Sequence, residues 1–107
     1  MIKTIIESPY AGDTEKNVAY ARECMRDSLL RGEAPYASHL LYTQAGILDD
    51  LIPSERDMGI QAGFAWKHTA GVVSVFYKDL GMSEGMQQAF DYCVEYNLPY
   101  SVRFVRS

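Results

Sequence analysis

A short polar segment with a glycine follows the first apolar run of the chain, at the point where a helix is predicted to begin. The run Ile2 to Ile6 is followed by Glu7 and then by Ser8-Pro9-Tyr10-Ala11-Gly12-Asp13. A strand that brings Ser, Gly and backbone N–H groups to the first turn of a helix forms a receptor for an anion, usually a phosphate. The segment therefore predicts nucleotide handling. The alternative is a β-to-α turn that binds nothing, because Ser-Pro-Tyr lacks the Gly-rich pattern of dinucleotide folds and P-loops.

A second segment of the same kind is Ser83-Glu84-Gly85-Met86. Its serine stands at the predicted N-terminus of a helix, where the hydroxyl and the following N–H groups can bind a phosphate oxygen. The alternative is that Ser83 only caps the helix. A phosphorylated sugar would fit between two such helix ends if both face one edge of a sheet. The two segments supply these candidate ligand-binding residues: Ser8, Pro9, Tyr10, Gly12, Asp13, Ser83, Glu84, Gly85 and Met86.

Three side chains add recognition chemistry. His39 can hydrogen-bond a base or a phosphate, or it is a surface or packing histidine. Arg56 suits a phosphate through its planar guanidinium, or it forms a surface or interface ion pair with Glu55 or Asp57. Tyr10 is the best residue for stacking on a base or sugar, because it projects from the anion-binding turn.

Composition limits the class of partner. At 107 residues the chain is long enough for one domain, spanning residues 1–107, and too short for two. Its net charge is −4 and its ten Lys and Arg residues are scattered, which argues against a nucleic-acid polymer. Any phosphate recognised is therefore expected to belong to a small molecule.

Other classes of site are not indicated. Asp49-Asp50 lacks further metal ligands, so we expect a solvated loop there, with no metal and no cofactor. Cys24 and Cys93 are too few and too far apart for a disulfide framework, and we expect packed, reduced thiols. No stretch approaches the ~18 apolar residues that span a bilayer, and no signal segment opens the chain. We expect a soluble, cytoplasmic protein without membrane contact.

The order of elements predicts the fold. Strands are predicted near residues 2–6, 34–37, 71–77 and 99–105, and helices from Asp13 or Thr14 to Gly32, from Pro53 to about His68, and from Ser83 to about Tyr96. Residues 38–50 form the least regular part of the chain. The alternation predicts a small Rossmann-like three-layer α/β domain with a mainly parallel sheet of four to five strands. Ligands of such sheets bind beyond the carboxyl ends of the strands.

Three loops should meet at that edge: residues 8–13, 38–39 and 78–86. Within the helices, Val18, Ala21, Met25 and Leu29 recur at helical spacing and predict the buried face of the first helix. Ser54 with Asp57 three residues later predicts a capping box for the second helix.

The motifs, taken in order, resemble a known family. Ser8-Pro9-Tyr10-x-Gly12-Asp13, then Asn17 and Ala21, Pro35, Ser38-His39-Leu40-Leu41, Glu55-Arg56, Ser83-Glu84-Gly85-Met86 and Pro99 cover nearly the full length. Together they are similar to nucleoside 2-deoxyribosyltransferase-like proteins, specifically a small and often phage-encoded subgroup. The resemblance implies a homo-oligomer with sites near subunit interfaces, and the host cytoplasm as location for a phage protein.

The resemblance also implies a reaction. Relatives cleave or transfer the N-glycosidic bond of deoxynucleosides or deoxynucleotides, using a glutamate that attacks the anomeric carbon. That glutamate is expected six residues after the capping serine, and here the position is Ala89. The family's tyrosine on the first strand, three residues before the turn, is Ile5. A methyl group cannot attack an anomeric carbon.

Several hypotheses follow from these departures. The first is a protein that binds a nucleotide or nucleotide-derived molecule without turning it over, with sequestration of a signalling nucleotide as its use. The alternative is an N-glycosidase or deoxyribosyltransferase, in which Ala89 is an engineered replacement of glutamate or another carboxylate, Glu84 or Asp91, is the nucleophile. Asp91 should face away, because it lies about 200° around the helix from Ala89. The third hypothesis is a structural or partner-binding protein without a small ligand.

Overall fold

A four-stranded parallel sheet with helices on both faces organises residues 1–106, the part of the chain that the computed structural model describes. The strands are β1 (Lys3–Glu7), β2 (Ala34–Tyr36), β3 (Val73–Tyr77) and β4 (Tyr100–Arg103). The helices are α1 (Thr14–Leu30), α2 (Ser38–Leu41), α3 (Pro53–Trp66) and α4 (Glu84–Glu95). The predicted Rossmann-like three-layer α/β fold is confirmed.

The strand order β2-β1-β3-β4 creates one topological switch point. From β1 the chain passes to β2 on one side, and after α3 it returns to β3 on the other side. The loops that follow β1 and β3 therefore diverge, and a crevice opens between them at the carboxyl ends of the strands. This is the edge where the sequence predicted a ligand.

Each face of the sheet has its own apolar core. On one face Ile6, Val75 and Tyr77 pack against Tyr20 and Cys24 of α1. On the other face Phe76 packs against Met86, Ala89 and Cys93 of α4, with Phe64 of α3 beside them. Both cysteines are buried and free, as expected. An almost continuous apolar strand between two covered faces is typical of a central parallel strand, and β3 occupies that place.

Two of the three predicted helix caps are confirmed. Asp13 caps α1, its carboxylate accepting the Lys16 N–H at 3.2 Å. Ser83 caps α4, its hydroxyl oxygen accepting the Met86 N–H at 3.2 Å. The predicted capping box of Ser54 and Asp57 is wrong, because α3 begins at Pro53, two residues before the start that a Ser54 cap implies, and its N-cap Ile52 makes no side-chain cap bond. Proline pre-sets the backbone angle of a first helical residue, which favours this earlier start.

Two further predictions need correction. Leu29 was expected in the buried stripe of α1 but is half exposed, and the buried polar residues Asn17 and Ser28 belong to that face instead. Residues 38–41, predicted to be irregular, form the short helix α2. Its four residues are too few for a periodic apolar signal.

The contact between α2 and α3 is close at Gly63, and it gives a prediction about stability. A β-carbon on Gly63 would lie 2.7 Å from Oγ and 3.1 Å from Cβ of Ser38. Gly63→Ala must displace α2, and we expect a net loss of about 1 kcal/mol or more in the free energy of unfolding, measured by urea denaturation. The loss is net, because the steric cost outweighs the roughly 1 kcal/mol that alanine gains over glycine in a helix.

Gly59→Ala on the same helix is the matched control. Its β-carbon would meet only the mobile end of Leu48, at 3.3 Å. We expect unchanged or slightly raised stability for this variant. Equal destabilisation of both variants would contradict the steric explanation.

Candidate functional site

A cavity of about 360 Å³ opens at the switch point of the sheet. Its walls come from the loop after β1, from α2 and the loop that follows it, from α3 between Glu55 and Phe64, and from the first turn of α4. The three loops predicted to meet at this edge all contribute to it. Of the predicted ligand-binding residues, these line the cavity: Ser8, Tyr10, Gly12, His39, Arg56, Ser83, Glu84, Gly85 and Met86.

The loop after β1 is shaped by one amide side chain. Nδ2 of Asn17 donates to the carbonyl oxygens of Tyr10 at 3.0 Å and of Ala11 at 3.1 Å. Gly12 has a φ of +99°, which a residue with a side chain rarely adopts, so the turn needs glycine at that position.

A buried serine–histidine pair forms one wall. The hydroxyl oxygen of Ser8 lies 2.8 Å from Nε2 of His39, and Ser8 is 7% exposed. Burial lowers the pKa of His39 to about 4, so its imidazole is neutral at physiological pH. A neutral imidazole carries one donor and one acceptor, which suits a polar, uncharged part of a ligand. The ring of Tyr10 meets the imidazole edge-on, with centroids 6.4 Å apart.

Another wall is formed by the N-terminus of α4 and by Arg56. The first N–H groups of α4 have no carbonyl one turn earlier to donate to, and the helix dipole makes this end electropositive. Arg56 lies beside it: a β-carbon on Gly85 would lie 3.9 Å from Nη2 of the guanidinium. The sequence offered Glu55 or Asp57 as ion-pair partners of Arg56, but the structure pairs it with Asp50 at 3.2 Å.

Several candidate residues lie outside the cavity lining. Pro9 is buried and Asp13 is the exposed cap of α1. Ala89, the position of the expected glutamate, is 1% exposed in the core below Met86, and Ile5 is 2% exposed in β1. Asp91 is exposed, accepts a hydrogen bond from Gln87 and does not line the cavity, as the helical spacing predicted.

Sequence reasoning missed the carboxylate of Glu7. It lines the cavity at the end of β1, with its side chain 14% exposed, and its Oε1 lies 3.3 Å from Nζ of Lys67. Burial raises the pKa of Glu7, while the Lys67 ammonium opposes that rise. Side chains alternate along a strand, so Glu7 shares its face with Ile5 and lies one step nearer the ligand edge. The signal in the sequence was a charged residue, Glu7, at the end of an apolar strand, where a ligand site was predicted.

Sequence reasoning also missed most of the wall that α3 and the preceding loop supply. Leu48, Ile60 and Phe64 give this wall its apolar surface, and Asp50 and Glu55 add carboxylates. Asp50 was expected in a solvated loop, but it lines the cavity. Spacing could not show this, because residues 42–52 have no regular period.

Two absences hold for the described part of the chain. Among residues 1–106, no three His, Cys, Asp or Glu side chains are arranged to hold a metal ion. Over the same residues, the helices are all too short or too polar to cross a membrane.

The chain belongs to the family described as Domain of unknown function (DUF7768), whose model matches residues 2–103. No curated protein and no solved structure matches it. The family assignment therefore leaves the similarity to deoxyribosyltransferase-like proteins as a prediction.

The lowered pKa of His39 gives a prediction about pH. The pKa is about 4 in the folded protein and about 6.5 in the unfolded chain, so the unfolded state binds more protons between these values. The stability that the neutral histidine contributes is complete above about pH 6.5 and is lost as the pH falls toward 4. Between about pH 7 and about pH 5, the wild type should lose about 2 kcal/mol more unfolding free energy than His39→Gln.

Urea denaturation at both pH values measures this difference. His68→Gln is the control, because it removes an exposed histidine and keeps the buried one. Its unfolding free energy should change between the two pH values by the same amount as that of the wild type. Parallel losses in the wild type and His39→Gln would show that His39 titrates normally in the folded protein.

Proposed function

We propose that this protein binds a nucleotide or nucleotide-derived small molecule in the cavity and does not turn it over. The observation that carries the proposal is the joining of two unlike walls around one cavity. One wall has the α4 N-terminus and Arg56, and the other has the Ser8–His39 pair and Tyr10. A phosphorylated nucleoside needs both kinds of surface.

The phosphate is placed at α4. Backbone N–H groups at a helix N-terminus point at an anion and the dipole favours negative charge there. Arg56 adds a guanidinium that can share two oxygens of one phosphate. Gly85 keeps this corner open, because it has no side chain between the helix end and Arg56.

The sugar and base are placed at the other wall. Ser8 and neutral His39 supply donors and acceptors without charge, which suits hydroxyl groups and base edges. Tyr10 offers an aromatic face and Leu48, Ile60 and Phe64 offer apolar contact. Ligand sites commonly combine a mainly apolar lining with a few polar groups in this way.

The absence of turnover is argued from position 89. The reaction of the resembling family needs a carboxylate that reaches the anomeric carbon. Ala89 offers a methyl group packed in the core with Phe76 and Cys93. A site that binds without reacting suits sequestration of a signalling nucleotide, and this is the use we propose for a phage-encoded member.

We also propose a homo-oligomer with the site near a subunit interface. Four exposed apolar side chains lie in the segment that borders the cavity: Ile47, Leu51, Ile52 and Met58 are 42% to 91% exposed. Apolar side chains clustered on a surface mark interaction sites. Light scattering on the purified protein should give a mass above one chain.

Glu7 favours a second candidate function, hydrolysis of the N-glycosidic bond. It is a largely buried carboxylate in the cavity wall, on the strand face that also carries Ile5. A carboxylate in such a place can attack an anomeric carbon or activate a water for that attack. The two functions differ in whether free base appears.

The proposed binding is tested by retention of ligand. The protein is incubated with nucleotides and cyclic nucleotides and then filtered, and both fractions are analysed by mass spectrometry after denaturation. Intact ligand should appear in the protein fraction. Gly85→Asp should weaken retention by about tenfold or more, because a carboxylate then lies where the phosphate binds.

An acidic residue suits the first turn of a helix, so Gly85→Asp should still fold. Gln88→Glu is the matched control: it adds a similar charge to the exposed side of α4, outside the cavity. It should retain ligand like the wild type. Equal retention by Gly85→Asp would remove the α4 N-terminus from the proposed site.

The second candidate makes its own prediction. If free base is released into the filtrate, Glu7→Gln should reduce the rate at least about a hundredfold, since an amide is neither nucleophile nor base. Asp91→Asn, which changes an exposed carboxylate of α4, should leave the rate unchanged. Intact nucleotide throughout would exclude this candidate.

A further inference from the structure

We propose that Glu55 and Glu84 limit the ligand to a single phosphate group, so that the site takes a nucleoside monophosphate or a one-phosphate ester and rejects di- and triphosphates. This inference rests on the proposed function, because it concerns the charge of the ligand that the same cavity would bind.

The charges that line the cavity are mostly negative. Four carboxylates face it, from Glu7, Asp50, Glu55 and Glu84, against one guanidinium, from Arg56. Arg56 is already paired with Asp50, and the carboxylate of Glu7 is paired with Lys67. Glu55 and Glu84 remain without a cation within salt-bridge distance among the described residues.

These two carboxylates belong to the same helix turns as the proposed phosphate-binding groups. Glu84 precedes Gly85 in the first turn of α4, Glu55 precedes Arg56 in the first turn of α3, and both glutamates line the cavity. The position of Glu55 is set by a hydrogen bond, since its Oε1 accepts the backbone N–H of Asp49 at 3.0 Å. A phosphate bound by Arg56 and the α4 N–H groups therefore shares the cavity with two carboxylates that have no salt-bridge partner in the described part of the chain.

Among the residues described, no basic residue other than Arg56 lines the groove into which a longer phosphate chain would extend. A shallower groove continues from the cavity past residues 45–51, and Tyr10, Glu55 and Arg56 border both. Asp49, Asp50 and Glu55 line the groove, and Arg56 is the only Lys or Arg among its lining residues. The groove also includes the N-terminal end of α1, at Gly12 and Thr14, which carries roughly half a positive charge. Three carboxylates outweigh that charge, so a second or third phosphate that enters the groove is repelled.

The size of the cavity agrees with this limit. A volume of about 360 Å³ lies near the lower end of the range for small-molecule sites, roughly 300–1,000 Å³. One phosphate at Arg56 leaves the rest of the volume to a nucleoside.

Titration calorimetry on the wild-type protein tests the proposal with the mono-, di- and triphosphates of each common ribo- and deoxyribonucleoside. Each series is measured with EDTA and again with magnesium, because Mg²⁺ can neutralise a phosphate chain. In any series that binds, the monophosphate should bind at least about tenfold more tightly than the triphosphate in both conditions.

The outcomes separate this inference from the proposed function. A triphosphate that binds as tightly as its monophosphate, in either condition, overturns the limit on phosphate number and leaves nucleotide binding intact. No binding by any member of any series overturns this inference, whereas the proposed function is decided by the filtration experiment, which also includes cyclic nucleotides.

Variants test whether the named carboxylates are the cause. Glu84→Gln and Glu55→Gln should each reduce the preference for monophosphate over triphosphate by about threefold or more. Asp91→Asn is the matched control, because it removes a carboxylate from α4 outside the cavity. Its preference should equal that of the wild type. An undiminished preference in both glutamate variants would overturn their proposed role.

Discussion

The buried ion pair of Lys67 and Glu7 is the constraint on which the site depends. Lys67 follows the last turn of α3, is 2% exposed, and donates to Glu7 at 3.3 Å and to Ser74 at 3.0 Å. Its ammonium also lies about 6 Å from the ring centres of Phe64 and Phe76. Loss of one partner of a buried pair costs roughly 3–5 kcal/mol. The pair therefore holds the C-terminal end of α3 against β1 and β3, and the same helix forms a cavity wall from Glu55 to Phe64.

The two faces of the sheet are held by different means, and this difference leaves room for the cavity. On the α1 face a continuous polar network joins Thr4 to Ser28, Ser28 to Glu33 and Glu33 to Arg103. That network connects β1 with the edge strand β4 and the end of α1. On the other face, apolar and aromatic contacts of α3 and α4 dominate. A cavity remains at the carboxyl edge of this face, where α3 and the first turn of α4 both line it.

The fold could be predicted from alternation and caps, and the site only in part. Ser83 was found because a serine before a helix has one dominant local use, whereas Ser54 misled because Pro53 set an earlier start. The loops after parallel strands must meet at one edge, so Ser8 and Gly85 were placed near each other by topology alone. The position of Asp50 depends on the path of an irregular loop that has no sequence period, and that of Glu55 depends on how α3, which follows this loop, packs. Their part in the cavity is a tertiary property.

The chemistry of Glu7 favours binding over turnover. If its carboxylate attacked an anomeric carbon, the bond from Oε to carbon would form, the base would leave with the bond electrons, and Glu7 would become a neutral ester. Lys67, which is 2% exposed, would then keep its positive charge without a counter-ion. An unpaired buried charge costs several kcal/mol, and that cost would be added to the barrier. A nucleophile in an active site is usually free of such a structural duty. The carboxylate of Glu7 is therefore better suited to holding α3 in place than to breaking a glycosidic bond, and a ligand that enters the cavity should leave it intact.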